Sequence, residues 1–220
     1  MNKKLLMVLA AAGVITLAGC QNSTTAPEVR YIDRAFTGVL PCADCSGIET
    51  TILFNQDGSY VEELTYLGTR DGDQTMFETG SWAKDGDKLR LTNTQGERSY
   101  FAPSADDKSV TMLDSDGNAV ESQFDYTLKQ VTPSKKIGEY HYMADAATFI
   151  ECGTKRNYAA SGIELERNYG ATGVNGGTPV YAEIEGYYTI RPSMEDGLFN
   201  PALVQTGSIL FNKEKSCPTK

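Results

Sequence analysis

Cysteine is the residue type in this chain whose spacing could do chemistry. There are five, at positions 20, 42, 45, 152 and 217. Cys42-Ala-Asp-Cys45 is a Cys-x-x-Cys pair. Three chemistries suit it: a local disulfide, capture of a soft metal such as Cu(I) by two thiolates, or thiol–disulfide exchange. A thioredoxin-type centre is disfavoured. That motif opens a helix, whose N-terminus lowers the pKa of the nucleophile, whereas here Pro41 precedes the motif and Ser46-Gly47 plus a strand pattern follow it. Two thiolates leave zinc short of the four ligands a structural site takes. Asp44 could add a ligand or cap the turn. The single histidine, His141, excludes any site that needs several imidazoles. With Met143 it could contribute to copper, but it lies in another segment, and between Tyr140 and Tyr142 it reads as a strand surface residue.

No enzyme motif accompanies the cysteines. Gly-x-Ser-x-Gly, a P-loop and a strand-following Gly-x-Gly-x-x-Gly are all missing. The neighbouring carboxylates Glu62-Glu63 point to opposite faces of a strand and so do not converge. The acid-rich turns at Asp57, Asp85-Gly-Asp87 and Asp114-Ser-Asp116-Gly are shorter than the twelve-residue calcium loop and read as hairpin turns. The expectation is a protein that is not an enzyme. Nor does it suit nucleic acid, because 20 basic against 29 acidic side chains give a net charge of −9 and phosphate binding needs a basic surface.

Cys20 belongs to the N-terminal segment. Lys3 and Lys4 precede an apolar core from Leu5 to Leu17, too short to span a bilayer comfortably, and Leu17-Ala18-Gly19-Cys20 follows. That ending resembles the lipobox of bacterial lipoproteins. It implies diacylation of the Cys20 thiol, cleavage before Cys20 and acylation of the new amine. Residues 1–19 are then a signal peptide, and the mature chain has 201 residues with 18 basic and 29 acidic side chains. At about 0.8 kcal/mol per buried CH₂, two or three acyl chains anchor firmly where one does not. Residues 20–34 form a lipidated tether with a reach of roughly 20 Å. Gln21 stands where Asp favours inner-membrane retention in enterobacterial lipoproteins, so by resemblance it points to the outer membrane.

Two elements of fold must position the remaining cysteines. Residues 35–130 show short alternating strands, at 48–54, 59–66, 76–84, 88–92, 98–102, 109–113 and 124–129. Turns fall at Asn55–Gly58, Asp85-Gly86, Gln95-Gly96 and Asp116-Gly117. This pattern predicts an all-β, closed up-and-down barrel, with the Cys-x-x-Cys on a loop between two strands. Residues 130–136 read as a linker. Residues 137–220 predict strands at 137–143, 148–151, 155–159, 180–190 and 208–212 with one helix over 160–169, which fits an OB-type barrel. A single sandwich across both segments is the alternative. The charge divides at the same place: residues 28–132 carry 9 basic and 19 acidic side chains, and residues 133–220 carry 9 and 10.

The envelope location implied by the signal peptide favours disulfides. Four cysteines allow three connectivities, and the domain split favours Cys42–Cys45 with Cys152–Cys217. Closing the 66-residue loop from Cys152 to Cys217 constrains the unfolded chain by roughly 4 kcal/mol, against about 2 kcal/mol for the four-residue ring. The long bridge reads as a staple that ties the C-terminus back, either as a structural bond alone or as one that also reports on oxidative folding.

At Gly38-Val-Leu-Pro-Cys42-Ala-Asp-Cys45-Ser-Gly-Ile-Glu-Thr50 the chain resembles the NlpE (CutF) lipoprotein family. Gly80-Ser-Trp82-Ala, Met112-Leu-Asp-Ser-Asp-Gly-Asn118 and Glu121–Leu128 carry the same resemblance. In the second half so do Tyr142–Phe149 and Glu164-Leu-Glu-Arg-Asn-Tyr169. The resemblance implies a lipocalin-like N-terminal β-barrel and a C-terminal OB-fold, on an outer-membrane lipoprotein anchored at Cys20, most simply on the periplasmic face. It implies an envelope stress sensor that activates the Cpx pathway through the sensor kinase CpxA, on surface adhesion, lipoprotein-sorting failure or disulfide-folding failure. It also implies a role in copper homeostasis and a link to the Dsb oxidative-folding machinery. By matching position Cys152 and Cys217 are the family's C-terminal disulfide, and Cys42 and Cys45 its Cys-x-x-Cys, the candidate copper ligands. No cofactor is required; copper is the one candidate. Two rival classes stand beside the sensor: a lipocalin-like carrier of a small apolar ligand and a Cu(I)-binding chaperone.

Overall fold

The computed structural model describes residues 34–218; the lipobox, Cys20, Gln21 and the tether lie outside the described residues. The first eight strands are β1 (Arg34–Leu40), β2 (Gly47–Phe54), β3 (Ser59–Thr69), β4 (Gly72–Asp85), β5 (Lys88–Asn93), β6 (Arg98–Pro103), β7 (Ser109–Met112) and β8 (Thr127–Gln130). Each pairs with the next, and β8 returns antiparallel to β1 to close an up-and-down barrel. Turn chemistry sets the hairpins. Gly58 takes φ of 83°, and the Asp57 carboxylate accepts the Ser59 amide at 2.9 Å and its hydroxyl at 2.6 Å. Asp114 accepts the amides of Asn118 and Asp116 at 2.7 and 3.0 Å. These carboxylates cap turns, and the same hydrogen bonds hold both below the usual carboxylate range.

The two-residue alternation of the strands turns Phe36, Ile52, Phe54, Leu89, Leu91 and Leu128 inward, each with no exposed surface. Phe54 packs edge-on against Phe36 and Trp82, with centroids 5.9 and 5.5 Å apart. Burying each such side chain contributes about 1.5–3 kcal/mol. These side chains form one buried cluster with Leu40, Tyr60, Phe101 and Val110.

The second barrel follows as β9 (Ser134–Met143), β10 (Ala146–Glu151), β11 (Asn157–Ala159), α1 (Ile163–Gly170), β12 (Val180–Pro192) and β13 (Phe199–Asn212). Its order is β10-β11-β13-β12-β9, closed, with β11 parallel to β13 and a helix between β11 and β12. This is the five-stranded OB arrangement. Leu165 and Tyr169 of α1 are buried against the core around Tyr140 and Phe149. The Glu166 carboxylate accepts the Gly162 amide at 3.2 Å, satisfying a backbone donor at the helix start. Two closed barrels exclude the single sandwich. No helix among the described residues is long and apolar enough to cross a membrane.

Several boundaries differ from the sequence expectation. The linker shrinks to Val131, Thr132 and Pro133, because Ser134 already pairs with Gly186 on β12 and the Lys135 ammonium bonds Glu183 at 2.9 Å. The second barrel therefore begins at Ser134 rather than residue 137. β8 starts at Thr127, not Phe124, which is 71% exposed. The Ser122 and Asp125 side chains take the amides of Phe124 and Thr127, so the backbone there needs no ladder. β11 loses Lys155, which turns with φ of 62°. β13 begins nine residues earlier than expected. The long ribbon with β12 runs through Pro201 and Gly207, with a register shift between Ile184 and Gly186.

Candidate functional site

Cys42 and Cys45 are joined by a disulfide, S–S 2.04 Å, on the loop between β1 and β2. Both are partly exposed. Gly47 ends this loop with φ of 151°, and a Cβ there would meet the Val39 side chain at 2.6 Å, so a glycine is required for the chain to re-enter β2. In the bonded form neither sulfur is a thiolate. Copper could be held only after reduction, by two sulfurs with Asp44 beside them. Among the described residues no three His, Cys, Asp or Glu side chains gather as a metal site. His141 stays on the second barrel opposite Thr148, with a buried Nδ1 that has no hydrogen-bond partner. It is thus only partly a surface residue, and Met143 nearby is 60% exposed.

Cys152 and Cys217 are joined by the second disulfide, S–S 2.05 Å. Cys217 belongs to the tail beyond β13, and Cys152 opens the turn after β10. This turn is tight. The Glu151 amide donates to the Arg156 carbonyl, and the Lys155 amide to the Glu151 carbonyl, both at 2.9 Å. An open groove of about 530 Å³ runs beside the bond between Lys135, Ile137, Glu151, Thr154 and Pro218.

The far end of that turn carries the contact between the barrels. Arg156 Nη1 donates to Glu49 Oε1 of β2 at 2.7 Å. Behind it Tyr158 stacks flat on Tyr188, centroids 3.8 Å apart at 5°. The Lys136 ammonium lies 4.4 Å from the Tyr188 ring centre. The Tyr188 hydroxyl donates to Glu151 Oε1 at 2.8 Å, and Thr154 donates to Glu151 Oε2 at 2.6 Å. Burial, then the Glu151 carboxylate, push the Tyr188 hydroxyl far above the ordinary phenol range. Glu151, adjacent to Cys152, therefore ties the staple to the aromatic pair and through it to the inter-barrel ion pair. A cleft of about 150 Å³ remains there, lined by Glu49, Glu63, Lys136, Arg156, Tyr158 and Tyr188. Burial raises the Glu63 carboxyl, Arg156 draws it down and Glu49 pushes it up.

Sequence reasoning brought the cysteines together correctly and missed the charged groups. Glu62 and Glu63 do face opposite ways, but the register places Glu62 against Glu78 of β4, both turned into the first barrel. Tyr60 donates to Glu78 at 2.7 Å. Burial and the Glu78 charge push Glu62 up to about 8. Strand pairing was the missing information: a polar residue at an inward position of two adjacent predicted strands was the signal available. The Arg156–Glu49 pair joins residues 107 positions apart and had no local signal.

Comparison with known proteins bears on this arrangement. Residues 36–123 match the family model described as the NlpE N-terminal domain, and residues 130–218 match the NlpE C-terminal OB domain. The chain is similar to Lipoprotein NlpE of Escherichia coli (strain K12), 37% identical over 231 aligned positions that cover 98% of this chain and 97% of that protein. Among solved structures it is similar to that of the Cpx pathway activator NlpE from Escherichia coli, 37% identical over 84% of this chain and 98% of that one, with a TM-score of 0.38. It is also similar to a lipoprotein from Shewanella oneidensis, 31% identical over 44% of this chain and 85% of that one, TM-score 0.38.

Proposed function

The chain belongs to the NlpE lipoprotein family, and on that premise we propose that it is a lipid-anchored envelope stress sensor that activates the Cpx two-component pathway. The observation that carries this reading is the path from the Cys152–Cys217 bond through Glu151 and Tyr188 to the contact between the barrels. A protein whose output depends on location and folding state needs such a link and needs no catalytic group.

Its parts act as follows. Acylated Cys20 and Gln21 hold the protein at the outer membrane, and the short tether keeps it from an inner-membrane kinase, CpxA. Failed lipidation or sorting leaves it at the inner membrane, where the first barrel meets the kinase. Failure of the Dsb machinery to form Cys152–Cys217 loosens the second barrel and signals oxidative trouble. Surface adhesion is a third trigger. The apolar cluster buried in the first barrel supports the sensor over the carrier. For copper homeostasis, the exposed position of Cys42–Cys45 is the supporting observation, since reduction would free two soft ligands at the surface.

The test is a Cpx-dependent reporter in cells carrying Gln21→Asp. A rise on inner-membrane retention is expected, and retention with no rise would sink the location model. Cys152→Ser tests the redox arm, which is wrong if its signal stays at baseline.

A further inference from the structure

The two barrels meet on an acidic face. β2 and β3 present Glu49 and Glu63 to the second barrel, flanked by Thr51 and Thr75 and by Phe77 of β4. Phe77 touches Phe199 of β13, centroids 6.3 Å apart. One guanidinium answers the two carboxylates. Arg156 Nη1 bonds Glu49, while Arg156 Nη2 is buried with no hydrogen-bond partner. A buried donor without an acceptor costs free energy, so the fit between the barrels is incomplete. The connection is short and pinned on both sides: the Val131 amide donates to Ala35 of the first barrel at 2.8 Å, and Ser134 is already in the second. Thr132 and Pro133 alone lie between. Small polar contacts between domains of one chain open readily.

We infer that this face of β2–β4 is an interaction surface for an arginine-bearing segment of a partner protein, and that Arg156 is its stand-in within the chain. With the barrels docked the surface is covered; with the barrels apart it is open. Charge favours such a partner. Residues 28–132 hold 19 acidic and 9 basic side chains, a negative field that draws a basic segment in. Geometry favours arginine over lysine, because a planar guanidinium can use both terminal nitrogens on carboxylates. A partner guanidinium free to reach Glu49 and Glu63 together could donate from both terminal nitrogens, where Arg156 bonds Glu49 through Nη1 alone. This inference deepens the sensing role by naming the surface the first barrel would offer. Its test uses purified protein, so it stands or falls separately from any pathway response.

The full-length lipoprotein in detergent is titrated with a labelled tetra-arginine peptide, with tetra-lysine as comparison, and inter-barrel separation is followed by small-angle scattering. Arg156→Ala should part the barrels and bind tetra-arginine at least about tenfold tighter than wild type. The gain should vanish when Glu49→Gln and Glu63→Gln are added, and be smaller for tetra-lysine. Glu49→Gln alone breaks the ion pair from the other side without touching the second barrel. It should part the barrels with no gain in peptide affinity. Barrels that stay docked in both single variants, an unchanged affinity in Arg156→Ala, or a gain that survives removal of the carboxylates would each overturn the inference.

Discussion

Glu62 and Glu78 stand directly opposite one another on β3 and β4 and both point into the first barrel. Glu78 accepts hydrogen bonds from Tyr60 at 2.7 Å and Asn93 at 3.4 Å. Glu62 is 8% exposed, and its carboxyl is pushed up to about 8 by burial and by Glu78. Glu62 therefore keeps its proton at neutral pH.

That proton makes stability depend on pH. The folded state binds it up to about pH 8, whereas the unfolded chain releases it near 4.5, the ordinary value for a glutamate. Below the lower value both states are protonated and the stabilising difference is fully present; as pH rises through the window stability is lost. Glu62→Gln mimics the neutral form. It should match wild type near about pH 4 and exceed it by roughly 2–3 kcal/mol near about pH 7. Urea unfolding across that range checks this, read by the chain's single tryptophan, Trp82, which packs on Phe54. Parallel pH curves for the two proteins would show that Glu62 is not the linked group.

Sequence reading reached far in the first barrel because its signals are local. Each hairpin there has a Gly or Asp turn, and Lys88–Asn93 shows the period-two burial of a half-buried strand. It reached less far where tertiary pairing overrides local pattern. The β12–β13 ribbon carries Pro201 paired with Ile190 and passes Gly207 through its register shift, and Ser134–Lys136 looks like linker until β12 is beside it. For the site, the cysteine pairing followed from domain division, since each bridge closes within one barrel. The charged contacts depend on which strands are neighbours, and neither Glu62–Glu78 nor Glu49–Arg156 is visible without that.

The Cys152–Cys217 staple should stabilise the second barrel alone. Its 66-residue loop contributes about 4 kcal/mol in the chain-entropy account. Cys217→Ser should lower the second barrel's stability by an amount of that order and leave the first nearly unchanged. Trp82 fluorescence follows the first barrel and far-ultraviolet dichroism follows both. Two separated transitions in the variant are the expected result, and a joint shift of both probes would mean the barrels unfold as one unit.

Gly80 is set by close approach. It faces Asn93 of β5, and a Cβ there would collide with the Thr92 carbonyl oxygen and press on the Tyr60 ring. Gly80→Ala must push β4 away from β5 at the point where Tyr60 and Trp82 pack. A loss of roughly 2–3 kcal/mol is expected, in the range for overpacking a filled core. Substituting Gly86 instead should strain only an open turn, since nothing lies within 4 Å of its Cβ position, although its φ of 66° still disfavours other residues. Equal losses at the two sites would contradict the close-approach argument.

Copper binding at Cys42 and Cys45 should depend on the state of their bond. With the disulfide closed both sulfurs are spent, and the thioether and imidazole of Met143 and His141 lie on the other barrel, so oxidised protein should not compete for Cu(I) against a moderate chelator. Reduction releases two thiolates whose Cα atoms are already 5.3 Å apart, a spacing that lets both sulfurs reach one soft ion. Reduced protein should then take one Cu(I), and Cys42→Ser or Cys45→Ser should abolish it. Carrying out the titration in a Cys152→Ser, Cys217→Ser background removes the other pair of thiols from the count. Binding that persists without Cys42 and Cys45 would assign copper elsewhere, and none in the reduced wild type would end the copper reading for this loop.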